Sequence, residues 1–475
     1  MRWSTLIVAG QAFVASALAQ TTCSKYTNDL PAPSMAAGYI SDIAFQGLKF
    51  PRGIQWDTTG HLLVVDRGVG IYRFSVDDCL HLQDETLIVN NTLLNHGISM
   101  SPDGKTLFAS TNDVAYSWAY DPQTGTVSDQ KTLVTGMANP VDGGHITRTL
   151  LSPISKPDWL IISVGSQSNI DEFNLASSSG KAQIRAFNVS EVSEKSVDFN
   201  QGGFILGFGL RNSVGLGEDN QAQLWSVENS VDNITRDGQE IYQNNPAEEL
   251  NFHGSLLDMS PRGDYGYPNC FAVWSADEIP LEHNLFIGDQ FAMYDNSTMN
   301  DTLCAELYQP PRISFQAHQA PLDIKFDGDG NAWISFHGSW NRAVPVGYHV
   351  VKVDFANGQP VDKNDSSTAA MEIMANPDLT MCQSACFRPV GLGFDTAGHL
   401  WMSSDATGEI YVIRKSDGSG VAAYTSTAAV TGPTPGPTPT GSSGDKKSVA
   451  GRVAVGVTAW IVSVVAGLSM MIYFF

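Results

Sequence analysis

One unit recurs six times between residues 51 and 402 and constrains the fold more than any other feature: a polar residue, a short apolar run, a tight turn, and a second apolar run. The first copy reads Pro51-Arg52-Gly53-Ile54-Gln55-Trp56-Asp57. It turns through Thr58-Thr59-Gly60 and returns as His61-Leu62-Leu63-Val64-Val65-Asp66. Later copies begin at Asn95-His96-Gly97-Ile98, Gly144-His145-Ile146, Leu210-Arg211-Asn212-Ser213, Ala320-Pro321-Leu322 and Arg388-Pro389-Val390-Gly391. β-Branched and aromatic residues fill the runs, turn formers fill the gaps, and helical periodicity is scarce. A small sheet cannot bury both of its faces alone, so units repeating at about 40 residues or more stack as blades of a ring. The sequence therefore predicts an all-β fold, a six-bladed β-propeller spanning residues 20–422. The long stretch between Val227 and Asn331 is expected to hold a degenerate blade and loops.

A propeller has a geometric consequence. The innermost strand of each blade runs along the central channel, so the residue just before it sits at one common mouth. Those positions carry Arg52, His96, His145, Arg211 and Arg388, with His318 slightly upstream of the fifth. The whole chain has 27 Lys and Arg against 49 Asp and Glu, a net charge of -22. That balance excludes nucleic acid and anionic membranes as natural partners. A cationic cluster inside it reads as a site. The second strand of the fifth unit then runs into Phe336-His337-Gly338-Ser339-Trp340-Asn341-Arg342, which places an imidazole, an indole, an amide and a guanidinium at one strand end. Arginine grips carboxylates through paired hydrogen bonds and stacks on planes. Histidine supplies a base whose ordinary pKa is near working pH. The expected ligand is flat and bears several carboxylates. No Gly-x-Gly-x-x-Gly turn, P-loop or Gly-x-Ser-x-Gly is present, so nucleotide cofactors and the commonest serine-hydrolase motif lack support. The loop from Trp225 to Asn233 offers oxygen ligands to a hard cation such as calcium. For any single arginine the plainer reading stays open: it packs over a strand and pairs with a neighbouring carboxylate.

Both ends carry address labels. Arg2, the apolar stretch to Ala19 and the Ala17-Leu18-Ala19 ending predict a signal peptide over 1–19. Residues 423–444 form a Gly/Pro/Thr/Ser-rich linker, and 445–475 an apolar tail that reads as a GPI-anchor signal or a transmembrane helix. Six cysteines in an exported chain suggest disulfides; neighbour pairing favours Cys23–Cys79, Cys270–Cys304 and Cys382–Cys386, while about 15 pairings stay open from sequence alone. Sequons at Asn90, Asn188, Asn233, Asn296, Asn300 and Asn364 fit a glycoprotein at the cell surface.

Several motifs, in order along the chain, match one known family. They are Gly144-His145 leading into Arg148-Thr149-Leu150, Gly209-Leu210-Arg211-Asn212-Ser213-Val214-Gly215-Leu216, Pro246-Ala247-Glu248-Glu249-Leu250-Asn251, Asp264-Tyr265-Gly266-Tyr267-Pro268, His337 to Arg342 with Pro345-Val346-Gly347-Tyr348, and Arg388-Pro389-Val390-Gly391-Leu392. The chain resembles the soluble quinoprotein glucose/sorbosone dehydrogenases, most nearly the fungal pyranose dehydrogenases that use pyrroloquinoline quinone (PQQ). The resemblance implies PQQ over the channel mouth, held with Ca²⁺. It implies oxidation of a pyranose or aldose sugar by hydride transfer to the quinone, and a separate electron acceptor such as a haem protein or a quinone. His145 is then the general base and Arg211 the cation beside the reactive carbonyl. Arg52, His96, Arg211, Asn212, His337, Trp340, Arg342 and Arg388 form the cofactor wall. Ser230 and Val231 fall where the family offers two backbone carbonyls to calcium. Glu249 and the Tyr265 carbonyl match a second, structural calcium. Bacterial relatives orient the base with an Asp. The matching place, near Ser166, has no carboxylate, so Asp171 or Glu172 is the expected substitute. Two other classes remain: a calcium-dependent propeller hydrolase or lactonase, and a non-catalytic surface-binding propeller.

Overall fold

A computed structural model describes residues 23, 25–139, 144–260, 262–280 and 284–421. The expected signal peptide, linker and apolar tail lie outside the described residues. Among those described, no helix is long and apolar enough to cross a membrane.

Among the described residues six sheets of four or five strands, antiparallel except for one parallel edge strand in blade two, make six blades. Blade one is Pro51–Trp56, Leu62–Asp66, Gly70–Val76 and Leu82–Asn90. Blade two is Ile98–Met100, Thr106–Ser110, Ala115–Asp121 and Thr126–Thr135, edged by Val197–Asp198. Blade three is Leu150–Leu151, Trp159–Val164, Gln183–Asn188 and Phe204–Phe208. Blade four is Ser213–Glu218, Gln223–Glu228, Glu248–Ser255 and Ile313–Phe315. Blade five is Pro321–Phe326, Ala332–Phe336, His349–Val353 and Ala370–Ala375, edged by Ser34–Met35. Blade six takes Pro389–Phe394, Leu400–Ser404 and Glu409–Lys415 from the end of the propeller, and its outer strand, Tyr39–Gln46, from the beginning. That exchange closes the ring.

Among the described residues, the stretch between Val227 and Asn331 holds no blade of its own. It supplies the third and fourth strands of blade four, and between them a short hairpin, Cys270–Ala272 with Gln290–Ala292, and the helix Asp301–Leu307. The six repeated units already account for the six blades. All three disulfides form as neighbour pairing suggested, Cys23–Cys79, Cys270–Cys304 and Cys382–Cys386.

A local device explains why the units fold alike. In blade five Asp327 follows the inner strand. Its Oδ1 accepts the backbone N–H groups of Asp329 (3.0 Å) and Asn331 (2.9 Å), and its Oδ2 accepts Trp333 Nε1 at 2.8 Å. Asp219 and Asp395 hold Trp225 and Trp401 in the same way, each at 3.0 Å. All three indoles are fully buried. An Asp six residues before a Trp thus ties the turn to the core and satisfies an indole N–H that would cost about 1–3 kcal/mol if left unpaired. The cores themselves lie between blades: Trp225 and Phe315 of blade four pack with Phe336 and Val351 of blade five. Leu63 and Val65 of blade one likewise pack with Leu107 and Trp118 of blade two.

Glycines next to the cationic positions let the inner strands crowd together. A Cβ on Gly53 would lie 2.3 Å from the His96 carbonyl oxygen, and one on Gly391 would lie 2.5 Å from that of Arg52. Gly53 and Gly391 therefore let the strands that carry Arg52, His96 and Arg388 approach one another.

Candidate active site

Around the channel mouth the functional side chains fall into two arcs. The first joins blades one, two, five and six around Asp405. This residue directly follows the second strand of blade six. Its Oδ2 accepts Arg52 Nη1 at 2.6 Å and its Oδ1 accepts His337 Nε2 at 2.8 Å. His337 occupies the same register in blade five, just past Ala332–Phe336. Arg388 donates from Nε to the His337 carbonyl (3.0 Å) and from Nη2 to that of Gly338 (2.7 Å), with its guanidinium 5.2 Å from the Tyr348 ring centre. Burial alone would raise Asp405, but His337 and Arg52 outweigh it and hold the carboxyl far below the usual carboxylate range. His96 is only 4% exposed and its Nδ1 has no hydrogen-bond partner among the described residues. Burial first, then the Arg52 charge, hold it well below the ordinary imidazole value. Burial also lowers His337.

The second arc belongs to blades three and four. His145 Nδ1 lies 3.1 Å from both the carbonyl oxygen and Oγ of Ser166. The carbonyl can only accept, and Ser166 Oγ gives its own proton to the Ser168 carbonyl at 2.7 Å. Both therefore accept from Nδ1–H, which leaves Nε2 with a free lone pair. The His145 backbone is pinned as well, its carbonyl accepting Asn139 Nδ2 (2.7 Å) and Arg148 Nη1 (2.9 Å). Burial, and next the Arg211 charge, push His145 down to about 3. Arg211 is held by four bonds: Nε to the Asn169 carbonyl (3.0 Å), Nη2 to Asn169 Oδ1 (2.8 Å) and Asp232 Oδ2 (3.2 Å), and Nη1 to the Asn229 carbonyl (3.1 Å). The other oxygen of Asp232 faces His318 Nδ1 at 3.3 Å. Burial opposes a charge on His318, but Asp232 and the Tyr242 carbonyl win and raise it. Asn212 and His145 crowd Gly165, where a Cβ would lie 2.5 Å from Asn212 Oδ1 and 2.8 Å from His145 Cβ.

The loop from His337 to Arg342 bridges the arcs. Asn341 Nδ2 donates to Asn233 Oδ1 at 3.0 Å, and Arg342 donates to Asn244 Oδ1 at 2.7 Å and to the Gln243 carbonyl. Trp340 leaves 62% of its surface open. Ser230 donates its N–H to Glu248 Oε2 at 2.8 Å, while the Val231 side chain packs among Ile234, Ile241 and Tyr267. Beside them three carboxylates are buried together. Asn251 Nδ2 bridges Glu228 (3.0 Å) and Glu249 (2.9 Å), and Glu248 sits on Ser230. Burial raises all three, Glu249 to about 7. The Tyr265 carbonyl accepts Gln290 Nε2 at 3.3 Å.

At the place expected for an orienting carboxylate, Nδ1 of His145 meets Ser166. Asp171 accepts from the Gln167 N–H and Asn174 Nδ2, each at 2.9 Å, and so braces its own loop. Glu172 is exposed. Sequence reasoning passed over Ser166, Asn139, Asp232 and Asp405. The last had a signal: it stands just past a second strand, in the register of His337.

A family model described as TrAA12-like matches residues 33–416. A Hypocrea jecorina (strain QM6a) protein, a pyrroloquinoline quinone-dependent sugar dehydrogenase, is 43% identical over 435 residues, 88% of this chain and 98% of that protein. A Coprinopsis cinerea pyrroloquinoline quinone-dependent pyranose dehydrogenase is 37% identical over 404 residues, 81% of this chain and 55% of that protein. The calcium structure of a Trichoderma reesei carbohydrate-active enzyme of family AA12 superposes with a TM-score of 0.79 at 45% identity, covering 83% of this chain and 99% of that one.

Proposed function

Because the chain belongs to the TrAA12-like family, we propose that the channel mouth is the active centre of a PQQ-dependent sugar dehydrogenase. The observation that carries the reading is His145, its Nδ1 directed at Ser166, beside a rim of fixed guanidiniums. The residues present fit the cofactor. Its carboxylates need cationic and N–H donors, and Arg52, Arg388 and the partnerless Nδ1 of buried His96 provide them. Trp340 offers an open plane and Asn212 an amide, with His337 and Arg342 completing the wall. Bound PQQ supplies the two-electron oxidant.

The protein does the rest. His145 Nε2 takes the proton of the sugar hydroxyl, while Ser166 fixes the ring by Nδ1–H. Arg211 cannot swing, since Asn169, Asn229 and Asp232 hold its donors. It acts as a preorganised positive charge at the reacting end. Calcium belongs to the same reading. The carbonyls of Ser230 and Val231 are its proposed ligands, next to the buried carboxylate Glu248. Glu249 with the Tyr265 carbonyl is the proposed second position.

Export, glycosylation and a C-terminal surface anchor extend the proposal, with residues 20–422 as the catalytic domain and a separate redox partner taking the electrons. Among the sequons, Asn90, Asn233, Asn296 and Asn364 are exposed. The direct test is a screen of aldoses and rare sugars with a dye acceptor, with and without PQQ and Ca²⁺. Turnover that needs both cofactors supports the reading; release of acid from a lactone without them contradicts it.

Gly165→Ala provides a finer test. The added methyl collides with Asn212 Oδ1 and His145 Cβ, not with the strand backbone. Turnover is expected to fall about 10²-fold, the usual effect of a shift of about 1 Å in a catalytic group. Circular dichroism should remain that of the parent. Unchanged turnover would show that His145 and Asn212 are not set by this contact.

A further inference from the structure

We infer that Ser166 is the positioning residue of the base, and that its uncharged carbonyl and hydroxyl keep His145 able to accept a proton in acidic media. The inference rests on His145 being the base, as proposed above.

Two observations carry it. First, the partner of Nδ1 is neutral: the carbonyl and Oγ of Ser166, both at 3.1 Å. The serine is itself braced. Its N–H donates to the Arg211 carbonyl at 2.8 Å, its carbonyl also accepts Asn139 Nδ2 at 2.9 Å, and its hydroxyl donates to the Ser168 carbonyl. The ring is therefore oriented as firmly as a carboxylate would orient it, and the tautomer is set.

Second, the charges around His145 oppose an imidazolium. Arg211 and Arg148 face it from blades four and three. Asp232 acts in the other direction, but it is shared between Arg211 and His318. Asp171, in the loop after Ser166, is bonded to Gln167 and Asn174. A carboxylate in place of Ser166 would stabilise the protonated ring and deplete the base as pH falls. The carbonyl and hydroxyl orient without that effect.

The experiment compares the pH profile of kcat/KM for the parent, Ser166→Asp, Ser166→Ala and His145→Ala, all loaded with PQQ and Ca²⁺. In Ser166→Asp the acid limb should move up by about 1–3 pH units, the usual effect of an opposite charge at contact. Ser166→Ala keeps the carbonyl, so its limb should stay in place while turnover falls. An unmoved limb in Ser166→Asp, with His145→Ala inactive, would overturn the inference and leave the base intact. Full turnover in His145→Ala would overturn both. A second measurement needs no cofactor. In ¹⁵N-histidine-labelled parent protein, with the His145 signals identified by their loss in His145→Ala, Nδ1 should be the protonated nitrogen and the ring should stay neutral at pH 5. A protonated Nε2 with bare Nδ1, or an imidazolium at pH 5, contradicts the inference.

Discussion

Replacing His145 by alanine is expected to lower kcat about 10²- to 10⁴-fold, the usual contribution of a positioned general base, while PQQ still binds. The geometry separates the two effects. His145 is anchored through its backbone to Asn139 and Arg148, and through Nδ1 to Ser166. None of these contacts belongs to the Arg52–Asp405–His337 arc, so the cofactor wall should survive the loss of the ring. Single-turnover reduction of the PQQ-loaded variant by sugar would measure the chemical step directly. Added imidazole should restore part of the rate by occupying the vacated space. A variant that turns over normally would remove His145 from its role. One that loses PQQ would make it a binding residue.

Arg52→Ala should damage both fold and cofactor binding. Arg52 and Asp405 form an ion pair 2.6 Å long, with side chains only 9% and 15% exposed. Removing one partner of such a pair leaves a buried charge and costs about 3–5 kcal/mol. The carboxylate, left with His337 alone, would then face an anionic ligand. Loss of one charged hydrogen bond, about 1.5–3 kcal/mol, weakens PQQ binding about 10- to 150-fold. A second substitution separates the two losses. Asp405→Asn in the Arg52→Ala background should recover most of the urea midpoint but not the PQQ affinity. If affinity returns with stability, Arg52 serves the fold alone.

Much of this was legible in the chain because propeller blades repeat. A period-two apolar pattern broken by a turn marks the first two strands of the blades, and an Asp opens that turn in blades one, four, five and six. The positions at the start of the inner strands bring Arg52, His96 and Arg388 into one arc, while Arg211 joins His145 in the other. The extent of blade four was less legible. Its third and fourth strands are separated by more than fifty residues, and Ile313–Phe315 is too short to show a period. Ser166 and Asn139 were hidden for another reason. They act partly through a backbone carbonyl or a side-chain amide directed at one, and a sequence motif reports side-chain type, not carbonyl direction. Asp405 looked like an ordinary loop acid until its register with His337 was visible. The arginines showed a further twist. Each does pair or bond locally, as the plainer reading held, and that local bonding is what fixes them around the mouth.

The central claim is that this cationic mouth holds a tricarboxylate quinone against a neutral histidine. Titrating the purified chain with PQQ in the presence of Ca²⁺, then adding an oxidisable sugar, tests it most directly. Saturation at one PQQ per chain is expected, followed by the absorbance change of cofactor reduction, with both steps weakened in Arg52→Ala and only the second in His145→Ala. A chain that takes up no PQQ, or binds it equally well without Arg52 and never reduces it with any sugar, would contradict the account.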